Sequence, residues 1–312
     1  MTQATLGIGD LARATGVSVR TIRFYCDEGI LDAVRSAGGH RRFSSSAVER
    51  VRLIRRLRGL GLGLSPIRSV LSGTESVADV VTAERRAIDV ELAALAWRRA
   101  SLHAVEQASP ADRAARLDLL AAVHDRATAR DSLVEFWQRI FLGPLPASFL
   151  DMFLAVSVPD LPPQPTPDQV VSYAEMVVLL GDRSLRTRMS LRTLRNREQV
   201  SDEAELHNGI GEACTMARPL VLAGHHPTPG RALDHFVATH ARARGVRDTP
   251  SFRHDLSRAS AIDASEPLRR YWRLVGRLTG DPATVGESHT WLIDALATSV
   301  KPLPSVPVRS SV

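Results

Sequence analysis

Apolar residues in the first thirty positions recur at helical spacing in two short runs. The first run, Ile8, Leu11, Ala12 and Ala14, predicts a helix that Thr15-Gly16 ends. The second run opens at Ser18, which is suited to N-capping, and closes at Gly29, which is suited to a left-handed stop. Two short helices joined by a tight glycine turn predict a helix-turn-helix, with Val19 and Ile22 facing the first helix.

A basic β-wing and two further helices are predicted next. Residues 30–34 can run extended, residues 36–39 can turn, and residues 40–43 can return as a second strand. Ser44 is expected to N-cap a longer helix, and Ser65-Pro66 to start a short one. The apolar face of the longer helix consists of Val48, Val51, Ile54, Leu57 and Leu60.

A long helix is predicted over residues 76–108, which contain neither proline nor glycine and are long enough for about nine turns. Its apolar residues follow a mixed three and four spacing: Val81, Ile88, Leu92, Leu95 and Leu102. A solitary helix with one apolar stripe needs a partner, and we expect a second copy of the chain to supply it. The alternative is that the stripe packs against the chain's own C-terminal body.

The rest of the chain is predicted to form helices separated by turns, with almost no strand pattern. The predicted helices are 111–129, 132–142, 147–156, 167–180, 184–200, 203–223, 229–244, 249–261, 267–278 and 284–300. Five prolines in residues 158–167 predict a stiff connector. The fold class is therefore mainly α: a winged helix-turn-helix (1–73), a coiled-coil dimerisation helix (74–109), an all-α C-terminal helical bundle (110–301) and a flexible tail (302–312).

Composition excludes several classes of protein. The 312 residues are 44% hydrophobic and 24% charged, and no apolar run approaches the length of a membrane span. The N-terminus lacks the basic head and apolar stretch of a secretory signal, so we expect a cytoplasmic protein with no membrane partner. Only Cys26 and Cys214 occur, which excludes a disulfide framework and thiolate clusters for iron-sulfur or tetrahedral zinc within one chain.

Charge is distributed unevenly along the chain. Residues 1–72 contain twelve arginines and five acids, a net charge of +7, whereas the whole chain carries +6. The remaining 240 residues therefore carry −1. A basic head on a nearly neutral body predicts a polyanion-binding domain attached to a part with a different role.

Four segments in order resemble the winged-helix DNA-binding domain of the MerR family of bacterial transcription regulators: IGDLARATGVSVRTIRFYCDEGIL, GGHRRF, a basic helix, and LGLGLSPIRSVL. The resemblance covers about residues 6–72. Phe24, Cys26 and His40 depart from the usual residues of the motif. The resemblance implies that the second helix enters the major groove and that the wing grips the flanking backbone. The implicated residues are Ser18, Arg20, Thr21, Arg23 and Tyr25 on the helix, and His40, Arg41, Arg42 and Phe43 on the wing.

The family resemblance also implies partners. It implies a homodimer joined by an antiparallel coiled coil, which agrees with the stripe on the long helix. The dimer is expected to bind double-stranded promoter DNA and distort it, so that RNA polymerase can engage both promoter elements. Arg20 and Arg23 are the candidates for base contacts, and the wing arginines for phosphate contacts.

Large aromatic residues mark the candidate effector site in the helical body. Such residues are core by default, but helical bundles also place ligand cavities between facing helices. The candidates are Trp137, Phe141, Tyr173, Tyr271, Trp272 and Trp291. Residues 267–275 and the helix with Trp291 are similar to the C-terminal region of actinobacterial MerR-type regulators with helical sensor domains. This implies a small organic effector.

Three other functions compete with this interpretation. A metal-responsive regulator needs clustered Cys or His, whereas the long helix offers only His103. An enzyme needs a catalytic motif, and the histidines at 225, 226 and 235 have none beside them. A ligand-independent architectural DNA-binding protein does not need so large a body. We therefore predict no catalytic residue, no metal site and no cofactor.

Overall fold

The computed structural model describes residues 5–36, 38–123, 125–141 and 146–300. Ala37 of the predicted wing turn, Leu142 at the predicted end of one helix, and the predicted tail lie outside these ranges. The chain divides into two compact units, Met1–Leu92 (the head) and Ala93–Val312 (the body). This division falls within the long helix, and the four-part domain organisation stays a prediction.

The head contains a helix-turn-helix and a wing, as predicted. Its elements are β1 Leu6–Gly7, α1 Ile8–Thr15, α2 Val19–Asp27, β2 Val34–Arg35, β3 Arg41–Phe43, α3 Ser46–Gly59, α4 Leu64–Ser72 and the first half of α5 Val77–Glu106. The strands form one antiparallel sheet in the order β1-β3-β2, with Leu6 opposite Phe43 and Val34 opposite Arg42. Strand β1 was not predicted, because two residues are too few to show an alternating pattern.

Local signals explain where the head helices begin and end. The Ser18 hydroxyl accepts a hydrogen bond from the Thr21 amide at 3.1 Å, which confirms the predicted N-cap of α2. Gly16 ends α1 with φ at +66°, where a side chain would be strained.

Two predicted caps are wrong. Ser45, rather than Ser44, precedes α3 and makes no side-chain cap, and the Ser44 hydroxyl is hydrogen-bonded to that of Ser46 at 2.7 Å. Helix α4 begins at Leu64 after Gly63, so Ser65 and Pro66 lie within its first turn. Proline is tolerated there because amides of the first turn have no acceptor within the helix.

The head packs around one apolar core. Its most buried residues include Leu11, Ile22, Leu31, Phe43, Val51, Ile54, Leu62 and Ile67. Tyr25 and Val80 belong to the same cluster. The core therefore joins the helix-turn-helix, the wing and the start of α5, and it fixes α2 against its neighbours.

Helix α5 is continuous, as predicted, and uses different faces along its length. Val80 is buried in the head, whereas Trp97, Ala100 and Ala104 are buried in the body. The predicted stripe is exposed in the single chain: Ile88 is 45% exposed, Leu92 58%, Leu95 54% and Leu102 64%. Val81 is partly buried against the head core.

The described part of the body consists of helices α6 to α15. They are α6 Arg113–Ala121, α7 Arg126–Gln138, α8 Ala147–Ser157, α9 Pro167–Gly181, α10 Arg183–Gln199, α11 Glu203–Leu222, α12 Arg231–Ala243, α13 Pro250–Ser260, α14 Glu266–Thr279 and α15 Val285–Ser299. The predicted helix 111–129 is wrong, because Asp125 caps a new helix by accepting from the Thr128 amide at 2.9 Å. The segment predicted as 132–142 belongs to that same helix, α7.

Two apolar clusters stabilise the body. The first contains Trp97, Trp137, Tyr173, Tyr271 and Trp272, and the second is built on α11, α12 and α15. The Trp137 indole donates to the Tyr271 hydroxyl at 2.8 Å, and that hydroxyl donates to the Ser157 carbonyl at 2.6 Å. These bonds satisfy the polar atoms of a buried aromatic layer. Among the described helices, none combines the length and apolar character needed to cross a membrane.

Candidate nucleic-acid interface and internal cavity

Helix α2 presents arginines on the face opposite to its buried side. Ile22 is fully buried and Tyr25 is 7% exposed, whereas Arg20 and Arg23 are exposed. The Ser18 and Thr21 hydroxyls lie 2.8 Å apart at the N-terminal end of the same helix. The exposed face therefore offers two long cations and two hydroxyls, which are groups that can donate to phosphates and base edges.

The wing adds further cations, one of which is held in place. Arg41 donates to the Asp27 carboxylate at 2.6 Å, and this ion pair connects β3 to the end of α2. Arg42 and His40 are exposed. Arg41 therefore positions the wing, whereas Arg42 is available for a partner.

The second helix and the wing meet in an open concave surface, here called the basic concavity. Its lining is Gly7, Ile8, Arg23, Arg35, Ser36, Gly39, His40, Arg41 and Arg42. Arg35 was not among the predicted contact residues. The charge of Arg35 is visible in the sequence, but its position in the wing is not. Its place opposite Arg41 depends on the register between β2 and β3.

Most other arginines of the head form hydrogen bonds or ion pairs with backbone carbonyls or carboxylates of the head itself. Arg55 donates to the Thr15 carbonyl at 3.2 Å and Arg68 to the Glu28 carbonyl at 2.6 Å, which satisfies acceptors near the ends of α1 and α2. Four further arginines pair with carboxylates: Arg13 with Asp10, Arg41 with Asp27, Arg50 with Asp32 and Arg52 with Glu49. These four pairs use every acid of residues 1–72 except Glu28, so eight of the twelve arginines there have no carboxylate partner among the described residues.

Three of these eight, Arg55, Arg58 and Arg68, donate to backbone carbonyls, and the other five are exposed without a partner. Within the described part of the chain, no hydrogen bond or ion pair forms at the side chains of Arg20, Arg23, Arg35, Arg42 and Arg56. Three of them line the basic concavity and a fourth lies on α2. Unpaired arginines concentrated on one face are the arrangement expected of a surface that binds a polyanion.

Two predicted contact residues lie in the core instead. Tyr25 is 7% exposed because it follows Ile22 by three positions and shares the buried face of α2. Phe43 is 1% exposed because its position in β3, opposite Leu6, turns it inward. Both aromatic residues belong to the apolar core of the head and do not line the basic concavity.

Comparison with known proteins agrees with this geometry. Residues 6–74 match the family described as MerR HTH family regulatory protein. The head contains a MerR-family helix-turn-helix domain. This confirms the resemblance drawn from the sequence motifs and the winged helix-turn-helix fold of the head.

Curated relatives are similar to this chain over stretches of 66 to 87 residues. Nodulation protein NolA of Bradyrhizobium elkanii is 44% identical over 87 residues, 28% of this chain and 40% of the relative. The HTH-type transcriptional activator SoxR homolog of Chromobacterium violaceum is 37% identical over 24% of this chain and 51% of its own length. The HTH-type transcriptional regulator ZntR of Escherichia coli is 39% identical over 21% and 47%. The chain thus spans about two fifths to one half of the relatives' lengths.

The body contains a partly open cavity of about 120 Å³. Three of the predicted ligand-binding residues line it, Trp137, Phe141 and Trp272, together with Phe153. Tyr173, Tyr271 and Trp291 are buried outside its lining. The Trp291 indole instead donates to the His225 carbonyl at 2.8 Å.

One wall of this cavity is polar, which the sequence analysis missed. Arg192 lies 3.1 Å from the Asp263 carboxylate, and both side chains are largely buried. Arg244 donates to the Asn196 amide oxygen at 2.9 Å and contacts the His240 Nδ1 at 3.0 Å. Burial and the nearby Arg244 hold the pKa of His240 well below its usual value, so this ring is neutral at pH 7. Burial also lowers the pKa of His289.

Cysteine and metal chemistry find little support in the described residues. Burial raises the pKa of the Cys214 thiol to about 12, which removes its nucleophilic form at neutral pH. Burial also raises the pKa of Cys26. Across residues 5–36, 38–123, 125–141 and 146–300, no cluster of three His, Cys, Asp or Glu side chains is arranged to hold a metal ion.

Proposed function

We propose that this chain is a sequence-specific DNA-binding transcription regulator that acts as a homodimer on promoter DNA. The observation that carries the proposal is the set of unpaired arginines on α2 and in the basic concavity, within a domain of the MerR family. In this proposal α2 lies in the major groove, with Arg20 and Arg23 at base edges. Arg35 and Arg42 bind the flanking phosphates.

The exposed stripe of α5 supports the homodimer. Ile88, Leu92, Leu95 and Leu102 recur at spacings of three, four and seven, and each is about half exposed or more. A two-stranded helical contact would remove this apolar surface from water. The two-fold symmetry of such a dimer suits a pseudo-palindromic operator.

Dimer formation is tested by sedimentation equilibrium at micromolar concentration. We expect a dimer for the wild type and a monomer for the double variant Leu92→Glu and Leu95→Glu, because two carboxylates would have to be buried in the seam. Leu117→Glu is the matched control, since Leu117 is also an exposed apolar helical residue, 52% exposed, and lies outside α5. A monomeric wild type contradicts this part of the proposal.

The proposed mechanism is distortion of the promoter, so that RNA polymerase can engage both of its elements. A small organic effector bound in the cavity of the body biases two arrangements of the DNA-binding domains through its different affinities for them. The cavity favours this mechanism over a ligand-independent architectural role, because it combines apolar walls with a few polar groups. No catalytic step is proposed.

The DNA-binding function is tested by titrating the full chain against its own upstream region, with random-sequence competitor at a stated salt concentration. We expect specific binding at least about 1,000-fold tighter than binding to random DNA. Equal affinity for the two DNAs contradicts sequence-specific regulation and favours the architectural alternative.

A further inference from the structure

The cavity of the body contains a cation without an anion. Of its two arginines, Arg192 faces Asp263 at 3.1 Å. Arg244 has only neutral partners in the described residues: the Asn196 amide oxygen, the His240 ring and the His240 carbonyl. Burial and repulsion by Arg192 lower the pKa of Arg244, yet a guanidinium stays charged at neutral pH. An uncompensated charge in a low-dielectric site is costly, and an anionic ligand would relieve that cost.

The neighbouring histidine supplies a hydrogen-bond donor without an acceptor. A guanidinium has only N–H donors, so the His240 Nδ1 that faces Arg244 at 3.0 Å must be the acceptor. In the neutral ring the proton then resides on Nε2. That Nε2 is buried and has no partner in the described part of the chain, and His240 is only 6% exposed. The Arg192 Nε–H is likewise buried without an acceptor.

The other charged groups at the cavity do not neutralise the positive charge of Arg244. Asp263 is the acid of the lining and faces Arg192. Glu203 lies 3.4 Å from the His207 Nε2. The polar wall therefore presents one surplus positive charge and two unused N–H donors, and a ligand with anionic oxygen atoms would complement both.

The aromatic part of the lining fits an aromatic ring. Phe141 and Phe153 lie edge to face with centroids 5.0 Å apart, and the Trp137 and Trp272 centroids are 5.2 Å apart. Aromatic ligands pack well against such rings at these separations. The volume of about 120 Å³ is close to that of engineered cavities of about 150 Å³ that bind benzene. The space therefore suits about one ring.

A second, open cleft leads toward the polar wall. It shares Arg192, Asn196, Arg244 and Ala259 with the cavity. Two more arginines, Arg195 and Arg258, line it against two acids, Glu198 and Asp255. A cleft with excess positive charge raises the local concentration of anions and speeds their association.

We propose that the cavity binds a small aromatic carboxylic acid as its monoanion, with the carboxylate at Arg244, His240 Nε2 and Arg192 and the ring against Trp137 and Trp272. This inference specifies the chemical class of the effector in the proposed function. Ligand binding is measured without DNA, so the proposed ligand class and the proposed DNA-binding function can fail separately.

The test is calorimetric titration of the full chain with benzoate and three matched probes. We expect saturable binding of one benzoate per chain, at least about tenfold tighter than benzamide, because a charge-assisted hydrogen bond is lost with the amide. Benzylamine, a cation, and acetate, which has no ring, should give no detectable binding. Benzamide or benzylamine binding as tightly as benzoate overturns the proposal.

Variants locate the bound anion. Arg244→Gln should weaken benzoate about tenfold or more while leaving benzamide nearly unchanged, so the preference for the anion disappears. Arg247→Gln, at an exposed arginine outside both clefts, is the control. Helical circular dichroism shows whether Arg244→Gln folds. If it does not, His240→Phe is used instead, and benzoate binding to this variant and to the wild type is followed by quenching of Trp fluorescence. Unchanged benzoate affinity in these variants overturns the proposed site.

The DNA titration then separates this inference from the proposed function. Benzoate binding that leaves the affinity for operator DNA unchanged supports the ligand class and contradicts effector control by that ligand. Specific DNA binding with no benzoate binding supports the regulator and overturns the ligand class.

Discussion

The head and the body differ in the structural role of several of their arginines. Within residues 1–72 of the head, four arginines pair with carboxylates, and five others remain exposed and unpaired on α2, the wing and α3. In the body, arginines hold helices together: Arg269 forms two hydrogen bonds with Asp294 at 2.8 and 2.6 Å, and Arg253 joins Asp248 and Asp234. Arginine thus supplies a basic surface on α2 and the wing of the head, and links between helices in the body.

The difference follows from the ratio of acids to arginines in each unit. A net +7 within residues 1–72 leaves eight of twelve arginines without a carboxylate, whereas the rest of the chain, at a net −1, contains enough acids for ten of its described arginines to form ion pairs. Arg244 is one exception in the body: it has no acid partner among the described residues although it is partly buried, and its hydrogen-bond partners are neutral. A partly buried charge without a counter-ion, rather than the total charge of a unit, indicates where a ligand binds.

The largest expected effect concerns packing in the body. A Cβ at Gly286 would lie 1.9 Å from the Trp272 ring, so Gly286→Ala should lower the free energy of unfolding by about 3 kcal/mol through overpacking. Gly211→Ala is the matched control, since it is also helical and has open space, and it should stabilise by about 0.5 to 1 kcal/mol. Urea unfolding followed by helical circular dichroism measures both. Equal stability of the two variants would show that the ring can move aside.

The next largest effects are those of replacing single arginines, on DNA affinity in the head and on stability in the body. Arg23→Ala should weaken specific DNA binding by about 1 to 3 kcal/mol, and Arg42→Ala should weaken binding to all sequences about equally. Arg269→Ala should leave DNA affinity unchanged and lower the stability of the body by about 1 kcal/mol, because its ion pair is partly exposed. Anisotropy titrations and urea unfolding give the two readouts. Equal loss on specific and random DNA for Arg23→Ala removes it from the base-reading set.

A smaller effect is the pH dependence of the body. The folded pKa of His240 lies below its unfolded value of 6.5, so the unfolded chain binds more protons below that pH. Stability should therefore be fully present above about pH 6.5 and fall as the pH drops toward 5, by up to about 1.4 kcal/mol per pH unit for this residue. His289, whose pKa is also lowered by burial, adds to the same slope.

The matched variants are His240→Gln, which should show a shallower fall in stability between pH 7 and 5, and His254→Gln. His254 is exposed, and its replacement should leave the wild-type slope unchanged. Urea unfolding at several pH values gives the slopes. A His240→Gln slope equal to that of the wild type contradicts the assignment.

Helical periodicity and caps predicted most of the fold. The body helices from α8 to α15 lie within one or two residues of their predicted ends, because glycine, proline and capping residues punctuate them. The break before α7 was missed, since Asp125 reads as one more polar helix residue until its cap is seen. Strand β1 depends on pairing with a segment about thirty-five residues away, which no local pattern encodes.

The functional residues were predicted only in part, because local sequence patterns do not show which residues distant segments bury or bring together. Local spacing placed Arg20 and Arg23 on an exposed face, but it could not show that Tyr25 and Phe43 are buried by neighbouring elements. In the body, aromatic content indicated Trp137, Phe141 and Trp272. The polar wall brings together Arg192, His240 and Asp263 from separate segments, so only tertiary structure reveals it.

The most direct test of the difference between head and body is the salt dependence of DNA binding. The head variant replaces Arg23, Arg35 and Arg42 with glutamine, and the matched body variant replaces the exposed Arg195, Arg247 and Arg258. Each lost phosphate contact should reduce the slope of log K against log salt by about 0.9. We predict a clearly shallower slope for the head variant and the wild-type slope for the body variant. Equal slopes for all three proteins would contradict the assignment of the basic concavity as the DNA interface.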